Sequence, residues 1–146
     1  MQKREQHCFV VAALVSVVML LSGCAMFYGS ESQRNNNRQR LGLLHVGLTK
    51  EDVIQKMGAE GSKWCHDSFF GWCYRSETFG NPYRTAGFEV QGKHYLILYY
   101  YTDVKKLDDV LTDDELTPLI FEGDKLIGWG QDLLEGTLKK YEIRLR

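Results

Sequence analysis

The nine residues His94-Tyr-Leu-Ile-Leu-Tyr-Tyr-Tyr-Thr102 (HYLILYYYT) are the longest β-prone run in a chain of 146 residues. No glycine or proline interrupts them, and aromatic and aliphatic side chains of this kind suit a pleated, part-buried surface. Alternation puts Tyr95, Ile97, Tyr99 and Tyr101 on one face and Leu96, Leu98 and Tyr100 on the other, so both faces are apolar. Helices on one side of a sheet can cover only one of them. The other then offers Tyr95, Tyr99 and Tyr101 to a partner, as amphipathic anchors of the kind enriched at interfaces. Alternatively, the cysteine-containing segment upstream or a C-terminal helix covers that face and the tyrosines are core.

The neighbouring residues supply strands to pair with this one. Phe88 and Val90 alternate with Glu89 and Gln91, and Gln91-Gly92-Lys93 supplies a turn into the long strand. Downstream, Leu119 to Phe121, a turn at Glu122-Gly123-Asp124, and Lys125 to Trp129 form a second hairpin, with Pro118 tolerated at a strand start. The pattern predicts a four-stranded antiparallel meander. Before it, Thr49-Lys50-Glu51-Asp52 has the form of an N-cap with an acidic residue at the third helical position; Val53, Ile54 and Met57 make an apolar stripe and Gly58 ends the helix. After it, Leu134, Leu138, Tyr141 and Leu145 fit a helix beginning near Asp132, while Tyr141, Ile143 and Leu145 also alternate as a strand would; the expectation is a helix with a frayed or extended end. Ala25 to Arg40 is polar, has no apolar period and carries a net charge of +2 from Glu31, Arg34, Arg38 and Arg40, which predicts a flexible tether.

At the N-terminus Lys3 and Arg4 precede an apolar run from Cys8 to Leu21, a basic region followed by a hydrophobic one. As a helix such a run is roughly 20 Å long, well short of the ~30 Å hydrocarbon core, and so reads as a signal peptide over residues 1–23 rather than a retained span. It ends in Leu21-Ser22-Gly23-Cys24, which resembles the lipobox of bacterial lipoproteins. The resemblance implies cleavage between Gly23 and Cys24, a thioether-linked diacylglycerol on Cys24 and acylation of the new amine. Two or more acyl chains hold a protein firmly on a bilayer. Residue 25 is alanine rather than the aspartate that tends to retain enteric lipoproteins at the inner membrane, so the expected address is the outer membrane, facing the periplasm. Residues 24–146 carry 16 basic and 18 acidic side chains, a balance that gives no sign of nucleic-acid binding.

In that compartment Cys65 and Cys73 are the remaining pair, within Trp64–Cys73 (WCHDSFFGWC). A disulfide between them closes a nine-residue loop, for which chain entropy gives roughly 2.6 kcal/mol. Zinc needs four ligands, and adjacent Cys65 and His66 do not readily both reach one ion. The spacing is also not that of a Cys-x-x-Cys redox motif. Phe69, Phe70 and Trp72 then form either a local cluster or a partner-facing knob.

The segment Gly47-Leu48-Thr49-x-x-x-Val53-x-x-x-Met57-Gly58 resembles the opening signature of the SmpA/OmlA (BamE-like) family of outer-membrane lipoproteins. Asp114 to Phe121, with Pro118, and Gly128-Trp129-Gly130 are more similar to a neighbouring family of small BamE-like lipoproteins. Resemblance implies an α+β domain over residues 41–146, with one or two helices packed on one face of a three- to four-stranded antiparallel β-meander. Where the family has a proline soon after the last glycine, this chain has Ala59-Glu60, so residues 59–79 read as a Cys-bridged insertion. The resemblance also implies a link to outer-membrane assembly or integrity.

Catalytic signatures are missing. There is no Gly-x-Ser-x-Gly and no phosphate-binding glycine loop, and Ser30 and Ser32 lie in the expected tether. His45, His66 and His94 are scattered; Asp108, Asp109, Asp113, Asp114 and Glu115 lack the alternation of a calcium loop and read as a solvated loop. The expectation is a lipid-anchored, non-catalytic binding or scaffold module with an envelope or outer-membrane protein partner and no cofactor or metal. A periplasmic binder of small ligands is the alternative, and a small envelope hydrolase a more distant one.

Overall fold

The computed structural model describes residues 28–69, 72–106 and 111–141, with the backbone alone at 28–30, 64–69 and 72–77. The fold is α+β. Strands β3 (Arg84–Val90), β4 (Lys93–Tyr101), β5 (Leu116–Glu122) and β6 (Lys125–Trp129) form an antiparallel meander in sequence order. The β3–β4 turn has positive φ at both Gln91 (52°) and Gly92 (72°), the tight reversal whose twist matches paired strands. β5 opens at Leu116, three residues earlier than the apolar run suggests, which carries Pro118 into an inner strand. Proline is accommodated because its carbonyl accepts from Gly130 just beyond the end of β6, the side on which its missing N–H would also face.

Helix α1 (Tyr28–Leu41) and helix α2 (Lys50–Met57) cover one face of the sheet. Leu44, Leu48, Val53 and Met57 meet Leu98, Tyr100, Leu119, Phe121 and Leu126 there. The cap is as the sequence predicts: Thr49 accepts from the Asp52 N–H at 3.1 Å, and Asp52 takes the Thr49 N–H in return. The flexible tether expected over residues 24–40 is corrected, because from Tyr28 onward the chain is helical and α1 belongs to the domain. Its buried positions are polar, which is why no apolar period marks it. Asn37 is fully buried; its amide donates to the Tyr101 carbonyl (2.8 Å) and to Asn81 Oδ1 (3.1 Å), while Asn81 donates back to Asn37 Oδ1 (3.0 Å) and to the Met57 carbonyl (3.1 Å). Arg40 adds a bond to the same Met57 carbonyl at 2.6 Å. Hydrogen bonds fix α1 to α2 and the sheet, with Leu41 at its end the one apolar side chain of the described helix packed on the core.

Helix α3 (Gln131–Lys140) crosses the opposite face, where Leu134 and Leu138 join Tyr95, Ile97, Tyr99, Tyr101, Leu116 and Ile120. Residues 59–79, expected as an insertion, contain a separate two-stranded hairpin of β1 (Ser62–Phe69) and β2 (Trp72–Phe79). The acidic 113–115 segment is a short 3-10 turn, and Glu115 is a correction to the solvated-loop reading. Its buried carboxylate accepts the backbone N–H groups of Lys105, Lys106 and Thr112, and so latches the loop that follows β4.

Candidate functional site

The tyrosines singled out from the sequence do not form a surface. Tyr95, Tyr99 and Tyr101 are 4%, 3% and 8% exposed, because α3 and the residues around Tyr83, Val104 and Leu111 lie over them. Their reading as partner-binding residues is therefore replaced by a core role. Their chemistry agrees. A hydrogen bond with Tyr141, together with burial and neighbouring Glu122, pushes the Tyr95 phenol up, and burial does the same for Tyr99 and Tyr101. On the other face Tyr100 is fully buried, its hydroxyl has no partner among the described residues, and burial pushes it up to about 12.

The positions of the sequence motif are structural ones. Gly47 has φ +92° and donates its N–H to the Leu126 carbonyl, which ties the α1–α2 loop to β6. Thr49 caps α2, Val53 and Met57 are fully buried on it, and Gly58 ends it at φ +76° against Arg40. Pro118 is buried in β5. At Gly128, which has φ +150°, a Cβ would lie 2.5 Å from the Leu133 Cδ2 methyl, so glycine here lets that side chain rest directly on β6. Trp129 is 36% exposed. Gly23 and Cys24 lie outside the described residues. So do the side chains of Cys65 and Cys73 and the disulfide expected between them; along the backbone Cys65 is opposite Ser76 and Cys73 opposite Ser68.

What the tertiary structure brings together instead is an apolar strip. The exposed large apolar side chains among the described residues are Leu43 (59%), Val46 (64%), Trp129 (36%) and Leu133 (37%), and all four sit along the β6 side of the domain. Backbone bonds set the strip's geometry. Leu48 accepts from Leu126 and Gly47 donates to it, so the loop carrying Leu43 and Val46 runs beside β6; along β6 itself Trp129 is paired with Leu119 on the α1–α2 side of the sheet, while Leu133 lies against Gly128 on the α3 side. Exposed apolar residues scattered singly need no explanation, whereas several gathered around one edge strand make a candidate interaction surface. Trp129 supplies the aromatic anchor such surfaces favour. Of these four, only Trp129 was legible as special. Leu43 and Val46 lie in Gly42–Leu48 (GLLHVGL) beside Leu44 and Leu48, which are buried, and composition does not tell them apart.

Two polar clefts flank α1. One of about 140 Å³ lies between α1 and the hairpin base, lined by Gln33, Asn36, Arg40, Glu60 and Ser62. A wider one of about 320 Å³ lies between Arg38 and Leu41 of α1, Thr102 and Asp103 after β4, and Asp114, Thr117 and Gln131. Both are polar and open, unlike the enclosed apolar pockets that hold most small ligands. Among the described residues no three His, Cys, Asp or Glu side chains are grouped to hold a metal ion. His45 and His94 are both exposed, His94 lying 3.4 Å from Glu89. Also among the described residues, no helix is long and apolar enough to cross a membrane.

The chain is similar over residues 75–136 to a family described as a protein of unknown function (DUF3192). That span takes in the whole meander and the first part of α3, and with them Trp129 and Leu133 of the strip, but not Leu43 or Val46. No curated protein and no solved structure matches the chain.

Proposed function

We propose that this protein is a lipid-anchored envelope protein, held by acyl chains on Cys24 at the periplasmic side of the outer membrane, that serves as a non-catalytic binding or scaffold module. The observation that carries the reading is the apolar strip along β6. Both faces of the sheet are occupied by the protein's own helices, so the surface left for a partner is this edge, with Leu43, Val46, Trp129 and Leu133. The strip lies at the end of α1 remote from Cys24. The partner it suits is another envelope protein, whose apolar side chains would surround Trp129 while polar neighbours form the rim.

Site-specific photocrosslinking in intact cells tests this. A photoreactive residue at Val46 or Leu133 should trap a defined envelope protein, whereas one at exposed Thr85, on β3 at the other edge of the sheet, should not. Trp129→Ala should abolish the Val46 adduct while leaving the melting curve close to the parent's. Equal crosslinking from both edges, or an adduct indifferent to Trp129, rejects the surface. Palmitate labelling that survives Cys24→Ser rejects the anchor. The small-ligand alternative keeps one structural argument, the 320 Å³ cleft lined by Arg38, Asp103 and Asp114. Saturable binding of a small polar molecule that is lost in Arg38→Ala would favour it over the scaffold.

A further inference from the structure

We infer that the closed end of the β1–β2 hairpin, at the pair Phe69 and Trp72, is a second contact with the lipid bilayer, a foot that stands on the membrane interface beside the acylated Cys24. The inference rests on the lipid-anchor reading above and follows from how α1 and the hairpin run. Arg40 is bonded to the Met57 carbonyl and lies against Gly58; Glu60 and Gly61 line the cleft beside Asn36; Ser62 is bonded to Gln33, whose amide also reaches the Gly80 carbonyl. From Met57 to Ser62 the chain therefore climbs α1 from its C-terminal end towards its N-terminal end. Strand β1 continues from there, so the hairpin extends past the start of α1, towards the lipid.

The lengths match. From Gln33 back to Tyr28 the helix rises about 7.5 Å, while an unbroken strand from Ser62 to Phe69 spans up to about 23 Å, so even with the two irregularities in its ladder the hairpin is long enough to reach past the first residue of α1. Cys24 is four residues before Tyr28 and can be at most ~14 Å from it along an extended chain. A link of that length is short enough to let the acylated residue and the hairpin's end meet one surface. A domain on so short a leash cannot stand off the bilayer, and the hairpin is what it would set down.

The hairpin's composition names the occupant. Trp64, Phe69, Trp72, Tyr74 and Phe79 put five aromatic residues on its described backbone, and the last described pair of the ladder, Phe69 opposite Trp72, is aromatic on both strands. Aromatic residues, Trp above all, settle at the headgroup level of bilayers. Charge does not draw the hairpin there, because Lys63 and Arg75 are balanced by Asp67 and Glu77. Asp67 opposite Arg75 sets the depth, leaving only the last two rungs free to enter. With the lipid supplying retention, the foot supplies orientation. Two points of contact hold α1 upright and turn the β6 strip, at the other end of the domain, away from the membrane.

Tryptophan quenching tests this on the full-length acylated protein reconstituted in phosphatidylethanolamine vesicles with bromine-labelled acyl chains. The chain has three tryptophans, at 64, 72 and 129. In the double variant Trp64→Phe, Trp129→Phe, emission from Trp72 should be quenched at least twofold and shifted to the blue. In Trp64→Phe, Trp72→Phe, emission from Trp129 should be unaffected. The Trp72 signal should persist when salt is raised from about 0.1 M to about 1 M, since an uncharged contact is not screened. Flotation with the vesicles and palmitate labelling, measured on the same samples, test the anchor separately. Labelled, floating protein with unquenched Trp72 overturns the foot and leaves the anchor standing. Quenched Trp72 in unlabelled protein supports the foot and removes the anchor. Protein that does not float overturns the foot. Each variant's melting curve is compared with the parent's, and Phe69→Trp in the Trp-free background gives a second reporter on the opposite strand, for which the same quenching is expected.

Discussion

Three consecutive asparagines, Asn35, Asn36 and Asn37, provide an internal control for the assignment of α1 to the domain. The first two are exposed and the third is fully buried. Asn37→Ala withdraws the donor to the Tyr101 carbonyl and the donor to Asn81 Oδ1, and deletes the acceptor of one Asn81 N–H. Leaving a buried polar group unmatched costs about 1 to 3 kcal/mol, and the losses overlap because Asn81 keeps its bond to the Met57 carbonyl, so the expected destabilisation is about 2 to 4 kcal/mol. Against a whole-domain stability of about 5 to 15 kcal/mol this is large, and should lower Tm by roughly 10 to 20 °C. Asn35→Ala and Asn36→Ala should fall within about 0.5 kcal/mol of the parent, on the stabilising side because alanine is the better helix former. The assay is urea unfolding, followed by circular dichroism, of the chain from residue 25 onward. If all three variants behave alike, residues 28–40 are a tether after all, and the hairpin loses the helix that would hold it beside the membrane.

Two further predictions concern the tyrosines. Tyr99→Ser with Tyr101→Ser should abolish cooperative melting, since truncating one buried aromatic costs about 3 to 5 kcal/mol and both lie in the core under α3; a parent-like melt would mean that this face is open. Tyr100→Phe should raise stability by about 1 kcal/mol, because it removes a buried hydroxyl without a partner among the described residues, and should also flatten the alkaline limb of the stability curve. The sign follows from the raised folded value of about 12 against an ordinary 10.0: below pH 10 both states hold the proton, and between pH 10 and 12 only the unfolded state releases it, so stability falls as pH rises, by up to roughly 2 to 3 kcal/mol. Urea midpoints at pH 9, 10 and 11 that fall as steeply in Tyr100→Phe as in the parent would assign the loss to Tyr95, Tyr99 and Tyr101 instead.

Sequence alone determined the meander and the α2 cap, because each rests on a local cause, whereas the last stretch fitted a helix and a strand alike. The strand at 94–102 follows from an unbroken β-prone run, its turn from Gln91-Gly92, and the α2 start from the reciprocal Thr49 and Asp52 bonds. It also showed that β4 is apolar on both faces, and so that something must cover each. Which element covers which face was a tertiary decision, since Leu134 and Leu138 make an equally good stripe for a helix on either side, and the short connection at Gly130 together with Leu133 seated on Gly128 brings α3 onto the tyrosine face. α1 escaped detection for the complementary reason. Periodicity reads apolar burial, and a helix docked through Asn37, Gln33 and Arg40 has no apolar period to read; its polar groups find partners only once Asn81, Met57 and Tyr101, distant in the chain, have been assembled around it. The strip along β6 was invisible for the same physical reason, because exposure belongs to the surroundings of a side chain and not to its type. Leu43 and Leu44 are identical in the sequence, and the fold alone buries one and leaves the other in water.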